Sequence, residues 1–89
     1  MAEISSGRPY TEDGDLRTFF SAVKSDDLIW HRDREDRRIT VIEGQGWQFQ
    51  FNGSIPIELR VDKIFEIPKD MYHRIIRGKT KLVLRVEKI

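Results

Sequence analysis

The sequence predicts an all-β protein, a small antiparallel sandwich or barrel entered through one short helix. Three observations carry this expectation. Seven short runs of β-branched and aromatic residues follow one another between Leu28 and Val86, turn formers punctuate nearly every gap, and Trp47-Gln48-Phe49-Gln50-Phe51 alternates strictly between oily and amide side chains. Successive side chains on a strand point to opposite faces, so this last run offers one face to a core and the other to solvent or to a polar cavity.

Taken in order, residues 1–14 are small, polar or turn-forming and read as an N-terminal arm, with residues 15–89 as the single domain. Leu16, Phe19, Phe20 and Val23 fall at i, i+3, i+4 and i+7 behind the capping candidates Asp13 and Asp15, a pattern that predicts an amphipathic helix over 15–24. Its apolar stripe needs a sheet to cover. Strands are expected over 28–31, 37–42, 47–51, 55–59, 64–67, 73–76 and 81–86. The breaks between them fall at Gly44 with Gly46, at Asn52-Gly53, which predicts a tight hairpin, at Pro68 with Asp70, and at Gly78 with Thr80.

Composition narrows the function classes. With 89 residues, 38% of them hydrophobic, the chain affords one modest core, and without cysteine it has neither a disulfide nor a thiolate ligand. Packing against a second copy is the natural supplement, so a homodimer is expected, and the absence of cysteine suits a reducing cytoplasm. Sixteen basic and fifteen acidic side chains leave a net charge of +1, which argues against a nucleic-acid footprint. No uncharged apolar run approaches the roughly 18 residues of a membrane span, and residues 1–11 contain no apolar leader core. A nucleophile elbow, a phosphate-cradling glycine loop and a dinucleotide fingerprint are all missing.

Chemistry concentrates on two histidines, His31 and His73, each in or beside a strand-like run. Imidazole is the commonest metal ligand, and two of them on separate strands of a small β fold can converge on one cavity. His31-Arg32-Asp33 leads through Arg37 to Val41-Ile42-Glu43-Gly44, and Asp62 leads to Pro68-Lys69-Asp70 and then His73. In order and spacing these segments resemble the two motifs of the cupin superfamily, His-x-His with a glutamate and a glycine, then glycine, Pro-x-Gly and histidine. The resemblance covers about residues 28–87 and implies a small cupin-like antiparallel β-barrel or jelly roll.

The departures define what that resemblance leaves for a metal. Asp33 stands at the second histidine, Arg37 at the glutamate, and Asp62 and Asp70 at the two glycines of the second motif. Arginine cannot ligate a cation, so the surviving set is His31, Asp33 and His73, with Glu35 or Asp36 as a further oxygen. Residues i and i+2 share a strand face, which places His31 and Asp33 together. Two histidines and one carboxylate suit a divalent cation such as Fe, Zn or Mn with open positions.

Three function classes follow. In a cupin-type oxygenase or isomerase, Arg37 orients an anionic substrate and Tyr72 assists. In a non-catalytic binding protein, Arg37, Gln48 and Gln50 hold a small anionic or sugar-like ligand. In an interaction or structural module the barrel is metal-free scaffold. Against all three stands a purely structural account, in which the histidines are satisfied within the fold and the run Arg32 to Arg38 is a solvated, salt-bridged hairpin.

Overall fold

The computed structural model describes residues 9–89 and shows two antiparallel sheets packed face to face. The strands are β1 (Thr11–Asp13), β2 (Leu16–Phe19), β3 (Arg37–Glu43), β4 (Gln48–Phe51), β5 (Ile57–Glu58), β6 (Ile64–Ile67), β7 (His73–Ile76) and β8 (Leu82–Lys88). One sheet has the order β1-β2-β8-β3-β6 and the other β5-β4-β7. After β3 the chain passes repeatedly from one sheet to the other, with glycine, aspartate or proline in the crossings, so that apart from the β4–β5 hairpin successive strands lie in opposite sheets.

The expected barrel does not close. No strand pairing joins the two sheets among the described residues, and β1, β6, β5 and β7 remain edges, β7 meeting only the single His31 bridge. The expected helix over 15–24 is also replaced, by a β1–β2 hairpin in which Asp13 pairs with Leu16 around the two-residue turn Gly14-Asp15. Gly14 sits at φ +62°, the left-handed conformation such a turn requires and glycine adopts without strain. Leu16 to Phe19 then pair with Arg85 to Leu82. An unpaired edge on β8 offers this segment backbone hydrogen bonds and burial of Phe19, whereas an isolated helix of this length gains little. Of the expected arm, residues 1–8 lie outside the described residues, and residues 11–13 form β1.

The later strands fall close to expectation, with two shortenings. The 55–59 run forms strand only at Ile57–Glu58, and the 28–31 run contributes a single bridge, His31 to His73. A short 3₁₀ turn at Ser25–Asp27 precedes it. At the Asn52-Gly53 turn, Ser54 N–H donates to the Phe51 carbonyl at 3.0 Å, with Gly53 at φ +82°. Three further residues precede β5, so the hairpin is wider than a two-residue loop.

The core lies between the sheets and follows the strand alternation. Ile39 and Val41 of β3, Leu82 and Leu84 of β8 and Ile67 of β6 face Phe49 of β4, and the Phe49 ring reaches Phe65 of the opposite sheet at 4.9 Å. Trp47 is fully buried, and its indole N–H donates to the Thr80 carbonyl at 2.7 Å, which satisfies its one polar atom. The sandwich thus fills most of its interior with oily side chains, and His73 is the single buried polar or charged residue among those described.

Gly78 packs where a side chain has no room, because a Cβ there would collide with the Gln45 carbonyl and with Trp47. Gly78→Ala is expected to lower the urea midpoint by the equivalent of about 1–3 kcal/mol, the usual cost of overpacking. An unchanged midpoint would show that the Gln45 and Trp47 segments yield freely.

Candidate metal centre

His73 owes its position to strand register. It opens β7, and its backbone exchanges two hydrogen bonds with His31, N–H to carbonyl in each direction at 2.9 Å. Residues that exchange both bonds in an antiparallel pair project their side chains to the same face. That pairing brings the imidazoles together, with ring centroids 4.3 Å apart and Nε2 atoms 3.0 Å apart. Asp33, two residues on from His31, turns toward the same point, with Oδ2 3.6 Å from His73 Nε2.

Backbone contacts hold the Asp33 segment. Asp70 N–H donates to the Asp33 carbonyl, and Lys69 N–H donates to Asp36 Oδ1, both at 2.7 Å. Asp70 is left-handed at φ +64° and Asp62 at φ +74°, the two such non-glycine residues among those described. They stand where the motif resemblance places glycine, and aspartate tolerates this conformation better than most side chains. Asp36 is occupied by its backbone bond, and Glu35 pairs with Lys88 at 3.3 Å, so neither joins the cluster.

Backbone carbonyls beside both Nδ1 atoms favour one tautomer. A carbonyl oxygen can only accept, so the contacts from His73 Nδ1 to Met71 O at 2.8 Å and from His31 Nδ1 to Ile29 O at 3.2 Å place the ring protons on Nδ1. Each neutral ring then presents an Nε2 lone pair to the other. Two lone pairs at 3.0 Å repel, so the contact takes either an Nε2–H on one ring, which a neutral His31 supplies by giving up its 3.2 Å contact with the Ile29 carbonyl, or a cation between the rings. A proton serves only the nitrogen–nitrogen axis, whereas a cation would also satisfy the nearby Asp33 oxygen. The Nδ1–H to carbonyl arrangement is the usual outer support of histidine metal ligands.

The donor set fits. One ligand atom from each of His31, Asp33 and His73 lies within 4.8 Å of the others. At metal–nitrogen distances of about 2.0–2.1 Å, nitrogens 3.0 Å apart subtend nearly a right angle at the ion, as adjacent positions of a facial set do. Burial grades across the group: His31 is exposed, Asp33 half-buried and His73 buried. Phe49 stacks on His73 at 5.2 Å and 22°, fixing the ring plane. Burial is the main cause that holds the His73 imidazole below its ordinary pKa of 6.5, joined by the nearby His31 and Arg37 and opposed by the Met71 carbonyl and Asp33. The neutral, ligating form is therefore favoured.

The cluster lines a cavity of about 220 Å³ between the sheets. Ile39, Phe65 and Leu84 wall one side, and Phe49 and Ile75 the other. Arg37, on the inward face of β3 with Ile39 and Val41, also lines it. Its Nη1 lies 3.7 Å from Asp33 Oδ1, and its Nε is buried with no hydrogen-bond partner. An orphaned buried donor costs about 1–3 kcal/mol, which marks the position as one suited to an incoming acceptor.

The remaining expected ligand residues lie elsewhere. Alternation that turns Phe49 inward turns Gln48 and Gln50 outward, where Gln50 accepts from Arg74 Nε at 2.9 Å and donates to the Ser54 carbonyl. Tyr72 is exposed beneath the Arg32 guanidinium, 5.3 Å from the ring centroid. Neither glutamine nor Tyr72 lines the cavity. Tyr10, Arg17 and Ile29 do line it, although sequence reasoning did not nominate them. Reading Arg17 and Phe19 with a period of two would have placed both on one inward face.

A pH dependence follows from His73. Its folded pKa lies below the unfolded value, so the unfolded chain binds more protons as pH falls through 6.5. Stability from this group is complete above that pH and declines below it. Denaturant midpoints of chelator-treated protein are expected to fall between pH 7.5 and 5.5, by no more than about 1.4 kcal/mol per pH unit. His73→Gln is expected to flatten that window. An equal slope in the variant would assign the effect to other groups.

No protein-family profile matches the chain, and no curated protein matches it. Among solved structures, it is similar to the crystal structure of protein NMB1881 from Neisseria meningitidis, with a TM-score of 0.57 and 19% sequence identity. That likeness covers 90% of this chain and 79% of the other, and at this identity it shows the fold alone.

Proposed function

We propose that the chain is a small cupin-like binding protein in which His31, Asp33 and His73 hold one divalent cation, Fe, Zn or Mn, at the mouth of a small-molecule cavity. The observation that carries this reading is the pair of Nε2 atoms 3.0 Å apart, with each Nδ1 set against a backbone carbonyl and a carboxylate alongside. The left-handed aspartates at the motif's glycine positions support the cupin-like reading.

The roles divide by position. His73, buried and stacked, is the fixed ligand; His31, at the exposed rim, and Asp33, half-buried, complete a three-donor set that leaves further positions for a ligand. When bound, the ion would supply Lewis-acid polarisation to a ligand oxygen. Arg37 adds a fixed positive group beside the same opening. Oxygenase and isomerase chemistry are the reaction classes compatible with this donor set, and binding without turnover is the simpler function the same residues support.

Elemental analysis of untagged, gel-filtered protein, after anaerobic reconstitution with iron, zinc and manganese in turn, tests the proposal. About one ion per chain is expected to be retained. His31→Ala should release it without loss of fold because His31 is exposed, and Asp33→Asn should weaken its retention. Failure to retain any of the three ions would sink the metal reading and leave a metal-free binding cavity or scaffold.

A further inference from the structure

The cavity combines two unlike surfaces. Apolar walls come from Ile39, Phe65, Leu84, Phe49 and Ile75, while Arg37, Asp33 and the two histidines, with Arg17 and Asp27, add polar and charged groups to the lining. Sugars require hydroxyl partners along their whole length, and these walls offer none. Phosphate sites usually gather several backbone N–H groups from a glycine-rich turn or a helix end, and among the described residues no glycine lines this cavity.

Arg37 narrows the choice further. Among the described residues its contact with Asp33 is long for a hydrogen bond, at 3.7 Å, and its Nε stays unpartnered. Arg17, the other arginine on the cavity among the described residues, is already engaged, stacked 4.6 Å over Tyr10 and paired with Glu12. A guanidinium fork with free donors matches a carboxylate, which accepts two parallel hydrogen bonds from it.

We infer that the cavity takes a small monocarboxylic acid with an apolar body, its carboxylate held by Arg37 beside the His31–Asp33–His73 cluster and its body lying between the sheets. Size sets the body. An apolar cavity of about 150 Å³ accepts benzene, so about 220 Å³ accommodates a phenyl ring or a short branched chain together with its acid group. The inference rests on the proposed ligand site at the mouth, but the Arg37 contact does not itself require the ion.

Amide-resolved NMR titration with phenylacetate, phenylacetamide and acetate, on both chelated and metal-loaded protein, tests it. Phenylacetate is expected to bind at least tenfold tighter than phenylacetamide and than acetate, with shifts at Phe49, Ile75 and Leu84. Arg37→Met should bring the acid down to the level of the amide while metal content stays unchanged. Equal affinity of acid and amide in the wild type, equal affinity of acetate and phenylacetate, no binding, or a preference that survives Arg37→Met would each overturn the inference. Metal retained without any acid preference sinks this inference alone. An acid preference in chelated protein that takes up no ion upholds it and sinks the metal reading alone.

Discussion

The candidate site depends on one backbone pairing, the two reciprocal hydrogen bonds between His31 and His73. Everything at the mouth follows from it. A hydrogen-bonded antiparallel pair forces both side chains to one face at a fixed spacing, so the imidazoles meet without a long loop to guide them. Asp33 joins because it lies two residues further along, and Arg37 because β3 begins with an inward-facing position. Register rather than loop shape places the chemistry, and registers are rigid wherever one face of a sheet is buried.

That rigidity is supported from the apolar side. Phe49 packs against both His73 and Phe65 of the opposite sheet, so the imidazole plane is set by core packing. Burying a neutral imidazole is tolerable when its N–H has a partner, which the Met71 carbonyl provides. The same burial discourages protonation and leaves the lone pair free. The core and the site are therefore a single packing problem, in which the interior that stabilises the sandwich also selects the ligating form of its one buried histidine.

Legibility in the sequence varied with the kind of signal. Strands over 64–67 and 73–76 were readable to the residue, because turn formers bracket short β-branched runs. The H-x-D spacing pointed at the candidate triad when read as strand; in the fold His31 makes only an isolated bridge, and a backbone bond from Asp70 sets the Asp33 segment. Leu16, Phe19, Phe20 and Val23 misled because a four-residue strand and its following turn can mimic helical spacing. In the fold Phe19 and Val23 are buried while Phe20 is exposed, and the decisive partner, β8, lies more than sixty residues away. Gln48 and Gln50 were on the correct opposite face from Phe49, but whether that face met a cavity or Arg74 depended on tertiary contacts no local pattern contains.

The His31–His73 contact joins positions forty-two residues apart, and Arg37 reaches the same mouth from the other sheet. Contacts of such long range form only when most of the chain has been arranged, since their loop entropy must be offset by packing already made. The donors are therefore scattered in the unfolded chain and assembled only in the docked sandwich. A bound ion would discriminate between finished and unfinished molecules, adding stability to the former alone. In a chain of 89 residues without a disulfide, the mouth would then serve as a late fastener, closed only after the two layers have met.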